Sequence, residues 1–168
     1  MSKSNNSTRN RLITWEDPAE IAKTADSLPG IEYLKLMISN KYAPPIGNLL
    51  DFHLIEAGEG KAVFTIEPAE YHYNPGNVVH GGVAATVLDA AMACAIHSLL
   101  PAKHFCTTIE LKINYLRPIT IDTGLLRGEG EVIHFGGRTA VVQGRLLDKN
   151  SKLYAYTTAT FMILQTSN

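Results

Sequence analysis

The stretch NPGNVVHGGVAATVLDAAMACAIHSLL, residues 74–100, decides how this chain is organised. Asn, Pro and Gly residues at its start predict a loop. An apolar run begins at the His-Gly-Gly of 80–82 and ends before Pro101. The run predicts a helix over 81–99 whose residues are apolar on nearly every side. Such a helix must be buried on most sides, so the rest of the chain has to surround it.

Strands are predicted on both sides of this helix. Two of them, 49–56 and 61–67, come before it and flank a Gly-Glu-Gly turn. Four come after it, at 107–116 and at about 124–134, 138–148 and 152–164. The turns between the later strands are short, which predicts antiparallel neighbours. The simplest arrangement is an α+β fold in which one antiparallel sheet wraps around the helix.

Alternation of apolar and polar residues is clearest in the strand at 107–116. The apolar positions are Ile109, Leu111, Ile113 and Tyr115, and the polar positions are Thr108, Glu110, Lys112 and Asn114. The pattern places Thr108 on the polar face of its strand. Most threonines in that position are simply good strand formers.

The residues before the sheet divide into two predicted regions. Residues 1–13 are polar and predict a disordered tail, and 14–45 predict a helical extension. In the extension Asp17 can cap a helix that starts at Pro18, with Glu20 placed to complete a capping box. A second helix is predicted at about 31–40, closed by the Pro-Pro pair at 44–45. The remaining residues, 46–166, are predicted to form the domain of sheet and helix.

Composition excludes several classes of protein. The chain has 168 residues, typical of one domain, with 15 basic and 16 acidic side chains and a formal net charge of −1. No overall basic field therefore favours a nucleic acid or an anionic membrane surface. Asp89 and His97 interrupt the apolar run, which argues against a membrane span. Cys94 and Cys106 lie in apolar segments and are interpreted as reduced thiols of a cytoplasmic protein rather than as a disulfide.

The start of the central helix has the chemistry of an anion site. The first amides of a helix have no intrahelical acceptor, and the helix dipole adds partial positive charge there. Gly81 and Gly82 would let a ligand approach the backbone closely. Such a site suits an oxygen atom that becomes negative in a transition state. Asn74, six residues before His80, could add a side-chain amide donor.

Asp89 is unusual because it lies within the apolar helix. A carboxylate there is costly to bury unless it is hydrogen-bonded or used, although an Asp at a polar edge of the helix is an equally good interpretation. Gly81 and Asp89 are eight residues apart, or ~12 Å along a helix. One small carbonyl group could not touch both in the same chain. If both serve one site, Asp89 should come from a second subunit, with the two helices antiparallel about a twofold axis.

Other candidate residues have ordinary interpretations as well. His80 is either a ligand contact or a helix cap, and arginines such as Arg117 and Arg138 are more often solvated charges than phosphate contacts. The remaining histidines show no metal-ligand spacing and there is no CxxC pair, so no metal site is predicted. The Gly-Glu-Gly runs at 58–60 and 128–130 are interpreted as turns, and without a following helix they are not nucleotide-binding motifs.

Three runs of sequence together resemble a known family: NPGNVVHGGVAATVLDAAMACAI from residue 74, TTIELKINYLRPI from residue 107 and GEVIHFGGRTAVVQGRLLD from residue 130. They resemble the hotdog-fold acyl-CoA thioesterases of the phenylacetic-acid-degradation (PaaI-type) branch, over about residues 44–164. The specific part of the pattern is HGG with Asp nine residues after its His, Asn six before it, and a YLRP strand end. The resemblance implies a hotdog fold with extra N-terminal helices, and a homodimer with shared active sites that often pairs into a tetramer.

The resemblance also implies a role for each matching residue. Gly81 would donate its backbone N–H to the thioester carbonyl with Asn74 assisting, while His80 would lie near the thioester sulfur or hold the loop. The partner subunit's Asp89 would activate a water or attack the carbonyl itself, and Thr108 would assist the water. The substrate-binding residues, at the helix start and near the CoA phosphates, would be Gly82, Arg117, Gly137 and Arg138.

The predicted function is therefore that of an acyl-CoA thioesterase that needs no metal and no cofactor, since CoA is part of its substrate. Two alternatives stay open at this point. One is a non-catalytic acyl-CoA-binding or regulatory hotdog protein, and the other is a hotdog enoyl-CoA hydratase or dehydratase that would use His80 with Asp89. The Asn and His-Gly-Gly context favours the thioesterase. Neither the acyl group nor the choice of Asp89 as nucleophile or base is predicted.

Overall fold

Three helices precede the sheet in the chain, and a fourth crosses it. In the computed structural model, which describes residues 8–166, the N-terminal helices are α1 (Pro18–Ser27), α2 (Gly30–Ser39) and α3 (Pro45–Leu50). Strands β1 (Phe52–Gly58) and β2 (Lys61–Ile66) lead through a short 3-10 turn to the long helix α4 (Gly81–His97). The last four strands are β3 (His104–Tyr115), β4 (Leu126–Phe135), β5 (Thr139–Asp148) and β6 (Leu153–Gln165).

The six strands form one antiparallel sheet in the order β1-β2-β4-β5-β6-β3. After β2, helix α4 carries the chain to the far edge of the sheet, where β3 pairs with β6. On the way α4 packs against the sheet and contacts every strand. The predicted α+β arrangement of a sheet around one long helix, the hotdog fold, is confirmed.

The apolar side of α4 forms the centre of the core. Val87, Leu88 and Met92 are fully buried, and each large aliphatic side chain removed from water stabilises the fold by about 1.5–3 kcal/mol. Gly130 of β4 lets the helix approach closely, because a Cβ there would lie 2.4 Å from the carbonyl oxygen of Ala91. The Gly-Glu-Gly run at 128–130 therefore belongs to a strand that packs under the helix. Its interpretation as a turn is wrong.

The predicted strand at 49–56 begins too early. Residues 45–50 form α3, and β1 starts only at Phe52. Pro45 is the first residue of α3, a position that favours proline because its φ is fixed and its missing N–H is not needed. Asp51 follows the helix in the left-handed conformation, with a φ of 57°. The Pro-Pro pair thus starts a helix in addition to following one.

Helices α1 and α2 begin within one residue of their predicted starts, but the capping of α1 differs in detail. The Asp17 carboxylate accepts a hydrogen bond of 2.9 Å from the N–H of Ala19 and caps α1. Glu20, expected to complete a capping box, instead pairs with Lys23 at 2.5 Å. The predicted disorder of residues 1–7 lies outside the described residues. The division into 1–13, 14–45 and 46–166 stays a prediction.

Candidate active site

Helix α4 begins where it does because the side chain of His80 caps it. His80 has an extended backbone, and its Nδ1 accepts a hydrogen bond of 2.9 Å from the N–H of Gly82. Since Nδ1 accepts, the neutral imidazole carries its proton on Nε2, which has no partner among residues 8–166. The structure therefore shows His80 as a helix cap. A ligand contact through Nε2 stays a prediction.

The backbone N–H of Gly81 has no acceptor in the described part of the chain. The two amides that follow are occupied, that of Gly82 by His80 Nδ1 and that of Val83 by the His80 carbonyl at 2.9 Å. The unoccupied amide lies at the positive end of the α4 dipole. It can therefore donate to a bound anion or to an oxygen on which negative charge develops.

Tyr115, which was not among the predicted site residues, lies against this helix start. Its hydroxyl donates a hydrogen bond of 3.1 Å to the carbonyl oxygen of Gly81. A Cβ on Gly81 would lie 3.0 Å from Cζ of Tyr115, so the ring occupies the space that a side chain at residue 81 would need. The contact joins the end of β3 to the start of α4, and no local sequence pattern predicts it.

The structure brings Asp89 and Thr108 of one chain together. Thr108 Oγ1 donates a hydrogen bond of 2.8 Å to Asp89 Oδ1, and both residues are partly buried. Asp89 lies on α4 and Thr108 on β3, so the hydrogen bond also ties the helix to the edge strand. The carboxylate is hydrogen-bonded on one oxygen and keeps its other oxygen available.

Thr108 reaches the helix because of a β-bulge in β3. The pairing of β3 with β6 shifts between Thr108 and Glu110, and Ile109 between them is 52% exposed. Thr108 and Leu111 therefore share the side that faces α4, where Leu111 packs on the core. The prediction that Thr108 lies on the polar face is wrong, because a bulge adds one residue and reverses the side on which the following side chains lie.

Cys106 lies on the same side of β3 as Thr108. Its Sγ donates to the carbonyl oxygen of Ala93 on α4 at 3.6 Å. Burial, and after it the negative charge of Asp89, raises the pKa of the Cys106 thiol to about 12. Burial likewise raises the pKa of Cys94 to about 12. Both cysteines are free thiols, in agreement with the sequence-based interpretation.

Asn74 lies in a loop that folds back toward the helix start. Tyr73 and Val79 form a β-bridge across this loop, and the Oδ1 of Asn74 accepts a hydrogen bond of 2.8 Å from the N–H of Gly76. The side-chain NH₂ of Asn74 has no partner among residues 8–166. Asn74 is thus held in its own turn by its oxygen, and its amide nitrogen is the group that can still donate.

The predicted substrate-binding residues have other partners or none in the chain. Gly82 is exposed at the helix start, with its N–H bound to His80. The guanidinium of Arg117 donates to the carbonyl of Leu153. Gly137 and Arg138 are exposed between β4 and β5. No hydrogen bond or ion pair of the described chain joins either arginine to α4, and their binding role stays a prediction.

A cleft of about 720 Å³ lies among the N-terminal helices, away from Gly81 and Asp89. Its apolar lining includes Trp15, Ile21, Tyr33, Leu36, Met37 and Tyr42. The hydroxyl of Tyr42 is buried without a partner among residues 8–166. Neither Gly81 nor Asp89 lines this cleft, so it is not part of the site assembled around α4.

Residues 8–166 contain no group of three or more His, Cys, Asp and Glu side chains that could hold a metal ion. None of the helices in this part of the chain is long and apolar enough to cross a membrane. The candidate site therefore consists of a helix-start amide, a carboxylate, a hydroxyl and an imidazole. This set suits acyl transfer through proton movement and oxyanion stabilisation.

The fold and these residues define a class of protein, and comparison with known proteins agrees. Residues 76–155 match the family model described as the thioesterase superfamily, and this span contains His80, Asp89 and Thr108. A protein of Saccharolobus solfataricus described as an esterase is 32% identical over 126 residues, which cover 75% of this chain and 88% of that protein. This chain belongs to the thioesterase superfamily.

Two further relatives extend the comparison. The 1,4-dihydroxy-2-naphthoyl-CoA hydrolase of Listeria monocytogenes is 24% identical over 114 residues, covering 68% of this chain and 91% of that protein. A solved structure of the PaaI protein of Escherichia coli, from the phenylacetic acid degradation operon, matches with a TM-score of 0.69 and 21% identity, covering 84% of this chain and 98% of that chain. The predicted membership of the hotdog-fold thioesterase superfamily is confirmed, and a PaaI protein is among the structural neighbours of this chain.

Proposed function

We propose that this protein is an acyl-CoA thioesterase, which hydrolyses an acyl-CoA thioester to the free acid and CoA. The observation that carries the proposal is the presence, on one helix, of the unoccupied Gly81 amide and of the Asp89 carboxylate bound by Thr108. A helix-start amide stabilises an oxyanion, and a carboxylate serves as base or nucleophile. Membership of the superfamily supports a thioester substrate, and the Listeria relative supports CoA as its carrier.

We also propose that two subunits of a homodimer share each active site. Gly81 and Asp89 are separated by eight residues of α4, or ~12 Å, which one thioester group cannot bridge. Strand β3 is an edge strand, and the side of α4 that carries Asp89 is partly exposed beside it. A twofold axis at this edge would make the two α4 helices antiparallel. Gly81 of one chain would then face the partner subunit's Asp89.

The proposed reaction begins with the thioester carbonyl at the Gly81 amide. The partner subunit's Asp89 takes a proton from a water molecule while the oxygen of that water attacks the carbonyl carbon. Negative charge then passes to the carbonyl oxygen. One oxyanion donor is typically worth about 3–4 kcal/mol in the transition state. The C–S bond then breaks, and the proton passes to the thiolate of CoA. Direct attack by the carboxylate would instead give a mixed anhydride, which water cleaves to the same products.

Two donors would support these steps. The side-chain NH₂ of Asn74 can add a second hydrogen bond to the oxyanion. The Nε2–H of His80 can donate to the thioester sulfur, because the Nδ1 of the same ring is occupied by the helix cap. The free thiols and the CoA substrate agree with the predicted cytoplasmic location, which is part of this proposal.

The experiment measures hydrolysis of a panel of aliphatic and aromatic acyl-CoA compounds. Release of the CoA thiol is the readout. We expect Asp89→Asn to lower kcat by about 10²–10⁴-fold, the range for loss of a general base. Asp122→Asn is the matched control, because Asp122 is an exposed carboxylate in a surface turn, and it should leave kcat unchanged. An Asp89→Asn variant as fast as the parent protein would contradict the assigned role.

The alternatives give different results in the same experiment. A non-catalytic acyl-CoA-binding protein would be stabilised against heat by acyl-CoA without releasing thiol. A hydratase would change the absorbance of an enoyl-CoA without releasing thiol. Either result would overturn the thioesterase proposal.

A further inference from the structure

The peptide group between Gly81 and Gly82 is held at both ends by side chains. Its N–H, which belongs to Gly82, donates to His80 Nδ1 at 2.9 Å. Its carbonyl, which belongs to Gly81, accepts from the Tyr115 hydroxyl at 3.1 Å. The two side chains come from different elements, the N-cap of α4 and the end of β3. The peptide next to the unoccupied Gly81 amide is therefore fixed from two sides.

The two hydrogen bonds to this peptide matter because residues 81 and 82 are both glycines. Glycine has a wider range of backbone angles than any other residue, so a Gly-Gly helix start is free to fray or to reorient its first amide. An oxyanion donor is effective only when its direction is set before the reaction. Intrahelical hydrogen bonds hold the later turns of α4, but they do not hold the N–H of Gly81. That N–H belongs to the His80–Gly81 peptide, whose carbonyl accepts from the N–H of Val83 at 2.9 Å, while the two side chains hold the next peptide along the chain.

Tyr115 contacts Gly81 with its ring as well as with its hydroxyl. A Cβ on Gly81 would lie 3.0 Å from Cζ, 3.2 Å from Cε1 and 3.2 Å from Oη of Tyr115. The ring therefore packs closely on Gly81, and a side chain there would push it away by a few tenths of an ångström. Tyr115 is 53% exposed, but its backbone pairs with Ala155 of β6 and its hydroxyl is bound to Gly81.

We propose that Tyr115 is a positioning residue of the active site. By holding the Gly81–Gly82 peptide and packing against Gly81, it restrains the backbone beside the Gly81 N–H that would bind the thioester oxygen. The role is exerted through Gly81 and does not require Tyr115 to touch the reacting atoms. This inference rests on the thioesterase function proposed above and adds to it a second role for Gly81: without a side chain, residue 81 accepts the tyrosine ring in close contact.

The experiment compares Tyr115→Phe with the parent enzyme. The variant keeps the ring and loses the hydrogen bond to Gly81. We expect kcat to fall about tenfold, the factor that corresponds to one lost hydrogen bond, while KM changes little. Tyr115→Leu should lower kcat further, because it removes the ring that packs on Gly81. Tyr156→Phe is the matched control, since Tyr156 is a strand tyrosine whose hydroxyl donates to Gln143 at 3.2 Å, and its kcat should not change.

A second readout separates positioning from a general effect on stability. The amide of Gly82 should exchange its hydrogen faster in Tyr115→Phe than in the parent, while amides in the middle of α4 exchange at the parent rate. Together with a lower kcat, this result supports the proposal. An unchanged kcat, or a higher KM with an unchanged kcat, would overturn it, the second because it indicates direct contact with the substrate.

The outcomes also separate this proposal from the proposed function. If Asp89→Asn abolishes hydrolysis while Tyr115→Phe matches the parent in kcat and in Gly82 exchange, the thioesterase stands and the positioning role is wrong. If the parent protein hydrolyses no acyl-CoA, the proposed function fails and the positioning role fails with it.

Discussion

Thr108 donates a hydrogen bond of 2.8 Å to the carboxylate of Asp89, from an edge strand to the central helix. A carboxylate among apolar helix residues needs such a partner, because burial of an unpaired charge is costly. The bond involves Oδ1 and fixes the plane of the carboxylate. Oδ2 is then directed by the same geometry and is the oxygen that can act on a water or on a thioester.

The first prediction is the effect of removing this hydroxyl. Thr108→Val keeps the shape of the side chain and should lower kcat about 10–100-fold, the loss expected for a hydrogen bond to a charged group. Thr108→Ser should retain most of the activity. Thr107→Val is the matched control, because Thr107 is the exposed preceding residue of β3, and its kcat should equal that of the parent. Equal kcat values for Thr108→Val and Thr107→Val would contradict a role for Thr108.

The second prediction concerns the sharing of a site between subunits. Gly81→Pro removes the unoccupied N–H at the first helical position, where the backbone suits proline, and shifts the Tyr115 ring, while Asp89→Asn removes the carboxylate. Each variant alone should be inactive. In a mixture that exchanges subunits, hybrid dimers contain one intact site, so statistical mixing of equal amounts should restore about one quarter of the parent activity.

Two controls belong to the mixing experiment. Subunit exchange is confirmed by mass spectrometry of a mixture of tagged and untagged protein. A double variant that carries both substitutions, mixed with the parent protein, reports whether hybrid dimers are stable. Confirmed exchange without any recovery of activity would mean that each chain builds its site alone.

Much of the fold follows from patterns that lie within single segments. The helix over 81–99 and the later strands are found within three residues of their predicted bounds, because periodicity and turn residues act locally. The Asp89 and Gly81 candidates also come from a single segment, since their chemistry contrasts with an apolar helix. The failed prediction for Thr108 depends on contacts between segments, whereas the late start of the strand at 49–56 has a local cause. The strand at 49–56 starts late because proline favours a helix start at Pro45.

The contacts made by Thr108 and Tyr115 could not be predicted from single segments of the sequence either. The side on which Thr108 lies depends on a bulge, and the bulge depends on how β3 pairs with β6. The ring of Tyr115 meets Gly81 only because the end of β3 reaches the start of α4, residues that are 34 apart in sequence. Alternation within β3 contains no information about either contact. A glycine at residue 81 is a signal for close approach, but it does not name the approaching residue.

The third prediction concerns recognition of the CoA phosphates. If Arg138 contacts them, Arg138→Gln should raise KM for acyl-CoA about three- to tenfold without lowering kcat, because a charged hydrogen bond is lost in both the ground state and the transition state. Arg138→Gln and the parent should have the same KM when the acyl group is carried on pantetheine, which lacks the nucleotide phosphates. Arg145→Gln is the matched control, since Arg145 is exposed but pairs with Glu129. A KM increase of the same size with both carriers would point to damage elsewhere.

The fourth prediction follows from the two free thiols, which are partly buried. With the pKa of Cys94 and of Cys106 raised to about 12, a fraction of only about 10⁻⁴ of each is thiolate at pH 8, and the thiolate is the reactive form. Ellman's reagent should therefore label neither residue in the native protein on the time scale of an activity measurement. After unfolding in guanidinium it should report two thiols per chain. Rapid labelling of the native protein would show that these residues are accessible.

The last prediction is a dependence of stability on pH that arises from His97. The imidazole is partly buried at the end of α4, and its buried Nε2 has no hydrogen-bond partner among residues 8–166. Its ring packs edge-on against that of Tyr33, with the ring centroids 5.7 Å apart. Burial lowers the pKa of His97 below its ordinary value. The unfolded chain, with a histidine pKa of about 6.5, then binds more protons than the folded chain in mildly acidic solution.

The sign of the effect follows from that difference. The folded protein keeps its full stability above pH 6.5, and the free energy of unfolding falls as the pH drops below that value, by about 1.4 kcal/mol for each unit by which the folded pKa is lowered. Burial also lowers the pKa of His72, so part of the fall should remain without His97. Urea unfolding at pH 7.5 and pH 5.5 measures the difference.

His97→Phe should reduce the difference in the free energy of unfolding between pH 7.5 and pH 5.5. It should not destabilise the protein at pH 7.5. Phenylalanine keeps the edge-on contact with Tyr33 and replaces an unpaired buried nitrogen by carbon, which removes a desolvation cost. His134→Gln is the control, because His134 is exposed, and its unfolding should depend on pH as that of the parent does. An equal loss of stability between pH 7.5 and pH 5.5 in His97→Phe and in the parent would place the titrating group elsewhere, with His72 as the next candidate.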